Sequence, residues 1–318
     1  MLLAPTGKAY PCCYHFGYSL GDVSKGYQAL WNGKSMQKLR QEFLDGKPRT
    51  CRSRMHHMQC HRNFPNLMDS EPTTAIRPHG PRKLDVRLGG RCNLRCVMCD
   101  VWQQPNGLYR ESFLWQDGPE QIFPFLKEVE IMGGEPFIQS DVYRLIRTIA
   151  AANPKVAFSF VTNGHYPGMQ QVLEHLSMIR LKKLHVSLDA MDPATYSQIR
   201  QGGDWHLVSR NLASFIDFRD ECRADGRNFE LTASFCALIP NWSEVPEFLR
   251  FCRRYHITPE LQFAFYDPSQ THSLWQLPTN ELRTVKDSLL KRTHQPDKRH
   301  LESIIRPIEH RLSQAAQP

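Results

Sequence analysis

The sequence predicts an α/β protein built on a parallel sheet. Two observations predict it: six short apolar segments alternate with helical periods from residue 84 onward, and polar, glycine-rich motifs gather at the carboxyl ends of those segments.

The predicted strands are Leu84–Leu88, Glu128–Met132, Val156–Val161, Leu184–Leu188, Phe229–Leu238 and Glu260–Tyr266, rich in Val, Ile, Phe and Leu. Between them, Val142, Leu145, Ile146 and Ile149 make one helical stripe, and Val208, Leu212, Phe215 and Ile216 another. Strands each followed by a helix imply right-handed crossovers, in an open doubly wound sheet or a partial barrel. Either arrangement binds ligands at the carboxyl ends of its strands. There the chain places GGRCNLRCVMCD, then GGEP, then TNG; Ser187 and Asp189 close the fourth strand, Pro240 and Asn241 follow the fifth, and Asp267 the sixth. Chance would scatter such residues over both ends, so a single active site is expected.

Upstream, PTG and SLGD supply turns, and KAYPCCYHF reads as a strand. Trp31 to Leu44 reads as one amphipathic helix with Leu39, Phe43 and Leu44 on one side. Residues 61–82, with many Pro, Asn, Arg and Thr, read as a linker. The expected organisation is a small α+β segment over 1–60, the linker, a catalytic core over 83–278, and a basic helical tail over 279–318.

The 318 residues carry a net charge of +8. Residues 1–79 contribute +6, 80–278 contribute −1 and 279–318 contribute +3. Basic ends attract nucleic acid or acidic peptides, but a solvated basic face is the simpler reading, and nucleic acid is not expected as a partner. No apolar stretch is long enough for a membrane helix. MLLAPTGKAY lacks the charged start and long apolar region of a signal peptide, so a cytoplasmic protein is expected. In a reducing compartment ten cysteines do not imply disulfides, and clustered ones read first as metal ligands. Cys252, in phase with Val245, Phe248 and Leu249, reads as a core thiol.

The tight cluster is Cys92, Cys96 and Cys99, spaced C-x3-C-x2-C. Three thiolates on one loop can hold three irons of a cubane and leave the fourth open, the mark of a catalytic metal site. On spacing alone a zinc site with a distant fourth ligand competes. The second motif, Gly133-Gly134-Glu135-Pro136, decides between them. Its glycines let backbone approach a ligand closely, and Glu135 offers a carboxylate to an ammonium group.

With its C-x3-C-x2-C loop, GGEP, TNG and HVSLDAMDPATYSQIRQGG in order, the segment from Lys83 to about Tyr266 resembles the radical S-adenosylmethionine (SAM) superfamily. The resemblance implies a partial (β/α)6, TIM-like barrel, and a [4Fe–4S] cluster on Cys92, Cys96 and Cys99 whose open iron takes SAM. It further implies reductive cleavage of SAM to methionine and a 5′-deoxyadenosyl radical, fed by an external donor such as flavodoxin or ferredoxin. Carried over residue by residue, Gly133, Gly134 and Glu135 hold the methionine amino group, Pro136 completes that cofactor-binding motif, and Ser187 and Arg200 contact the ribose and carboxylate. Met98 stands where the family often has an aromatic against adenine. Asn163 and Asn241 are further candidates, with a turn residue and a helix-start residue as the plain alternatives.

PTGKAYPCC, followed by LGDVSKGYQALWNGKSMQKLRQEFLDGKPRTC, resembles half of the SPASM or twitch module of peptide-modifying radical SAM enzymes. That module binds an auxiliary iron–sulfur cluster through four cysteines. Here Cys13, Cys51 and Cys60 are the candidates. Cys12 is expected to face away from Cys13 in a strand, and Arg54 stands at an expected ligand position, so one cluster rather than two is expected. His56, His57 and His61 add possible ligands, with exposed polar residues as the plain alternative. The functions in view are modification of a peptide or protein side chain, a radical reaction on a sugar, nucleotide or cofactor precursor, and a non-catalytic metal-binding scaffold, against which GGEP, Ser187 and Arg200 argue.

Overall fold

The computed structural model describes residues 1–13, 15–47, 49–50, 74–264 and 271–315. Its strands are β1 (Leu2–Leu3), β2 (Lys8–Tyr10), β3 (Gly21–Asp22), β4 (Lys83–Val86), β5 (Arg95–Cys96), β6 (Glu128–Ile131), β7 (Ala157–Thr162), β8 (Arg180–Ser187), β9 (Arg200–Gln201), β10 (Glu230–Ala237) and β11 (Thr258–Phe263). The chain divides into two compact units. The first is Met1–Arg91, Gln104–Ser159 and His175–Arg180; the second is Cys92–Gln103, Phe160–Glu174 and Leu181–Pro318.

In the first unit the strand order is β6-β4-β1-β2-β3. β4 and β6 run parallel, with Leu84 opposite Val129 and Val86 opposite Ile131, and all four side chains are buried. Residues on both faces of β4 are apolar or enclosed, as parallel strands require. β1 lies parallel to β4, and β2 and β3 continue antiparallel. Tyr109 Oη donates to the Ala4 carbonyl at 2.6 Å, tying this N-terminal segment to the stretch that leads into β6.

The helix Ser140–Ala152 follows β6 and buries the predicted stripe of Val142, Leu145, Ile146 and Ile149. Each such side chain contributes about 1.5–3 kcal/mol on burial. Asp141 in its first turn suits the positive end of the helix. The helix stops at Asn153, whose Nδ2 donates to the carbonyls of Phe123, Pro124 and Leu126 instead of extending the turn.

Two upstream expectations need correction. The strand expected over KAYPCCYHF ends at Tyr10. Pro11 brings no N–H to continue a ladder, and Cys12 and Cys13 follow in a bend and turn. Alternation of faces therefore does not govern those two cysteines. The helix expected from Trp31 to Leu44 is two helices, Tyr27–Trp31 and Lys34–Leu44. Asn32 and Gly33 are poor helix formers, and the Asn32 side chain binds Arg40 Nη1 and the Arg77 N–H. In the restarted register Met36 and Leu39 turn inward, and Phe43 is 46% exposed.

In the second unit β8, β10 and β11 run parallel, with Ser187 opposite Ser234 and Ser234 opposite Glu260. The helix Trp205–Ala224 starts where Asp204 accepts from the His206 N–H at 2.8 Å. It buries Val208, Leu212 and Phe215 and leaves Ile216 half-buried. Val245–Arg254 buries Val245, Phe248, Leu249 and Cys252, so Cys252 is the core thiol its stripe predicts. β5 and β9 pair antiparallel, setting Cys96 opposite Arg200. β11 begins two residues before its predicted start; Tyr266 and Asp267 lie outside the described residues. The helices Thr279–Arg292 and Glu302–Ala315 follow. Among the described residues no helix is long and apolar enough to cross a membrane.

Candidate active site

The carboxyl ends of β4 and β6 run on side by side as backbone. The Gly134 N–H donates to the Gly89 carbonyl at 3.1 Å, and the Glu135 N–H to the Arg91 carbonyl at 2.8 Å. Gly133 adopts φ +126°, a conformation side chains resist. A Cβ on Gly134 would stand 2.1 Å from the Arg91 carbonyl oxygen and 2.6 Å from that of Gly90. Only glycine permits this approach. Glu135 is fully buried, and its Oε1 accepts the Phe137 N–H at 3.1 Å, capping the short turn that Pro136 opens. Gln139 Nε2 braces the turn from below, donating to the Glu135 carbonyl at 3.0 Å. The motif is thus a rigid backbone cradle alongside Gly89, Gly90 and Arg91, and Arg91 immediately precedes Cys92 in the chain.

In the second unit Cys92, Cys96 and Cys99 are all partly buried. Cys96 is fixed by the β5–β9 pair, which the Val97 N–H extends to the Ile199 carbonyl at 2.9 Å. Cys99 closes a turn on Cys96, its N–H donating to the Cys96 carbonyl at 3.1 Å. Trp102 Nε1 donates to the Cys99 carbonyl at 2.8 Å, and the Arg95 guanidinium lies over the Trp102 ring. Met98 and Val97 pack against the buried cluster of Ile199, Leu238 and Ala264.

Two of the sulfurs meet side-chain donors. Asn163 Nδ2 lies 3.7 Å from Cys92 Sγ and 3.0 Å from Asn93 Oδ1, while its Oδ1 accepts the His165 N–H at 2.7 Å. Asn163 is therefore both turn residue and sulfur neighbour. Arg200 Nη1 lies 3.8 Å from Cys96 Sγ. Its Nε donates to the Leu188 carbonyl at 3.1 Å, and its Nη2 to Asp189 Oδ2 at 2.5 Å. Three of its five N–H groups are so engaged, leaving two for a ligand. Ser187 ends β8 half-buried. Asn241 is fully buried; its Nδ2 donates to the carbonyls of Asp189 and Cys236, and its Oδ1 accepts the Leu238 N–H. Its amide is thus spent on backbone.

Burial pushes the Cys96 thiol up to about 11, against the pull of Arg200, and raises Cys99 as well. A thiolate at Cys96 accordingly needs a compensating cation, which a bound metal supplies. Among the described residues no three His, Cys, Asp or Glu side chains surround one ion position. A cubane does not ask for that, because each thiolate takes a different iron. The three-thiol loop, with each cysteine only partly buried, therefore fits an iron–sulfur cluster.

For a second cluster the described residues offer Cys12 and Cys13. Cys13 packs against Leu2, Ala4 and Tyr10, and burial, then the Asp85 carboxylate, pushes its thiol up to about 11. Cys51 and Cys60, with Arg54, His56, His57 and His61, lie outside the described residues. Asp189 as the partner of Arg200, and Trp102 beneath Cys99, are what the sequence reading missed. An acidic residue just past a strand end, with an arginine downstream of it, is the available signal for the first.

Three cysteines on one loop, in a fold of parallel strands, define an iron–sulfur protein of the α/β class. Residues 86–252 match the family model of the Radical SAM superfamily, and the chain belongs to that superfamily, whose enzymes use a [4Fe–4S] cluster and SAM on a partial (β/α)6 fold. Residues 1–60 match SPASM, an iron–sulfur cluster-binding domain. Among curated proteins, a probable GTP 3′,8-cyclase of Methanocaldococcus jannaschii is 27% identical over 180 residues, covering 54% of this chain and 55% of that protein. The GTP 3′,8-cyclase of Lactiplantibacillus plantarum is 30% identical over 205 residues, covering 62% and 58%. The chain thus spans about half the length of the curated relatives it matches. Among solved structures, Streptococcus suis SuiB aligns with a TM-score of 0.46 and 16% identity, covering 68% of this chain and 48% of that one.

Proposed function

We propose that this protein cleaves SAM reductively and uses the resulting radical to modify a peptide or protein side chain. The observation that carries the chemistry is the loop of Cys92, Cys96 and Cys99 running out of the backbone strap of Gly89, Gly90 and Arg91, against which the Gly134 cradle is laid. When bound, the cluster supplies the electron that splits the SAM sulfonium into methionine and a 5′-deoxyadenosyl radical, which removes a substrate hydrogen. Around that chemistry the protein's own groups have definite tasks. The backbone of Gly133 to Glu135 holds the amino group of SAM. The two remaining N–H groups of Arg200 and the Ser187 hydroxyl receive its carboxylate and ribose. Met98 and Val97, on their apolar cluster, line the adenine side and keep water out.

The SPASM match over residues 1–60 supports a peptide substrate. The names of the curated relatives favour a second reading, a nucleotide substrate such as GTP. An external reductant of the flavodoxin or ferredoxin type, and a cytoplasmic setting, go with both.

The test is anaerobic reconstitution followed by reduction with dithionite and addition of SAM. Formation of 5′-deoxyadenosine by the wild type and none by Cys96→Ala is the expected result. Turnover by Cys96→Ala overturns the assignment, as does a protein purified anaerobically with zinc alone. For the substrate, a peptide encoded beside the gene should raise the rate of 5′-deoxyadenosine formation and acquire a mass change. Acceleration by GTP and not by the peptide decides for the second reading.

A further inference from the structure

Arg200 and Asp189 form an ion pair at the sulfur of one cluster ligand. Arg200 is 6% exposed and Asp189 2%. Nη2 of the arginine meets Oδ2 of the aspartate at 2.5 Å, and its Nη1 reaches Cys96 Sγ at 3.8 Å. Neither group is free to turn away. Asp189 Oδ1 accepts the Cys236 N–H at 2.7 Å, and its carbonyl accepts Asn241 Nδ2 at 2.7 Å. Asp189 also holds φ +60°, a region in which few residues other than Gly, Asn and Asp settle. Arg200 is held by the Leu188 carbonyl and, through its backbone, by its pairing with Cys96 itself.

We propose that Arg200 and Asp189 together set the reduction potential of the cluster ligated by Cys96, the arginine raising it and the aspartate lowering it. The inference rests on the reading of the cysteine loop as a cluster site, and goes beyond SAM binding to the electronics of that site. Reduction adds one electron to the cluster. A donor and positive charge at a ligand sulfur stabilise the added charge; a carboxylate behind the donor opposes it. Burial keeps water and salt from screening either charge. The role for Asp189 is then specific. A buried arginine alone would make the cluster easier to reduce and the reduced cluster a weaker reductant. With Asp189 in place the arginine still orients Cys96, and the reduced cluster retains more driving force for breaking the carbon–sulfur bond of SAM.

The experiment is a redox titration of the anaerobically reconstituted full chain, without SAM, followed by electron paramagnetic resonance, with iron counted in each variant. Arg200→Gln should lower the midpoint potential and Asp189→Asn should raise it, each by about tenfold in the reduction equilibrium, ~59 mV for a one-electron couple. Asparagine tolerates the backbone of position 189 and still accepts from Cys236. The double variant, which buries no unpaired charge, should keep its iron and titrate below the wild type, because the nearer charge and its hydrogen bond are gone. Shifts of the same sign in both single variants, or no shift, overturn the proposal. If a single variant loses its iron, the double variant decides: a wild-type potential there overturns the proposal. A wild-type chain that takes up no cluster overturns the underlying reading and this proposal with it.

Discussion

Gly134 is packed so tightly against Arg91 that a β-carbon on it would stand 2.1 Å from the Arg91 carbonyl oxygen. The obstacle is backbone, which cannot swing aside as a flexible side chain would. Gly134→Ala should therefore part the two strand ends and break the bond from the Glu135 N–H to that carbonyl. We expect a loss of stability of about 1–3 kcal/mol, as for overpacking, together with loss of SAM binding. Chemical unfolding and equilibrium dialysis with SAM check it; wild-type values in both would show that the strap yields.

Arg200→Ala should weaken SAM binding by roughly 10- to 100-fold, the size expected for lost charge-assisted bonds. It also strands the Asp189 carboxylate, 2% exposed, without its counter-charge. Removing one partner of a buried pair costs about 3–5 kcal/mol, so the variant should unfold at lower denaturant. Unchanged SAM affinity would remove Arg200 from the ligand site.

Stability should also depend on acid through Glu260. The hydrogen bond from His185, then that from Lys183, holds its carboxyl down at about 2. A folded value below the unfolded one stabilises above the unfolded value, near 4.5, and that stabilisation fades as pH falls toward about 2. The group is part-exposed, with 36% of the side chain accessible, so screening cuts its share to about 1 kcal/mol. Glu260→Gln should thus be less stable than wild type at pH 7, and the gap should narrow through pH 4 to 3. A gap that widens on acidification would contradict this.

The chain should take up one [4Fe–4S] cluster. Iron analysis after reconstitution should give about four per chain, falling to near zero when Cys92, Cys96 and Cys99 are all alanine. About eight, with four surviving in the triple variant, would give residues 1–60 a cluster of their own. The bend at Cys12 and Cys13 removes one ground for expecting a single cluster, since the two thiols are not forced to opposite faces; the arginine at the expected ligand position 54 is the ground that remains.

What the sequence made legible was local. The stripe of Val142, Leu145, Ile146 and Ile149, the cysteine spacing and the GGEP turn each lie within about a dozen residues, where periodicity and steric rules act directly. The strands were found to within a few residues because burial on both faces leaves a continuous apolar run. What stayed hidden needed contacts between distant groups. Asp189 and Arg200 stand eleven residues apart with the helix Pro193–Ile199 between them, and no periodic signal joins them. The helix break at Asn32 and Gly33 depends on a side chain claimed by residues 40 and 77. Propensity alone makes such a break cheap but does not demand it.

The two residues of β1 have a consequence for how this protein can be divided. The N–H groups of Asp85 and Arg87 are spoken for by the carbonyls of Met1 and Leu3. Strip that segment away and β4 becomes a bare selvedge, open to any extended chain that passes. The N-terminal segment is therefore not an interchangeable cassette. A core cut out alone, or grafted onto a foreign N-terminal segment, should clump unless the new sequence re-hems the same strand, so the two parts are bound to change in step.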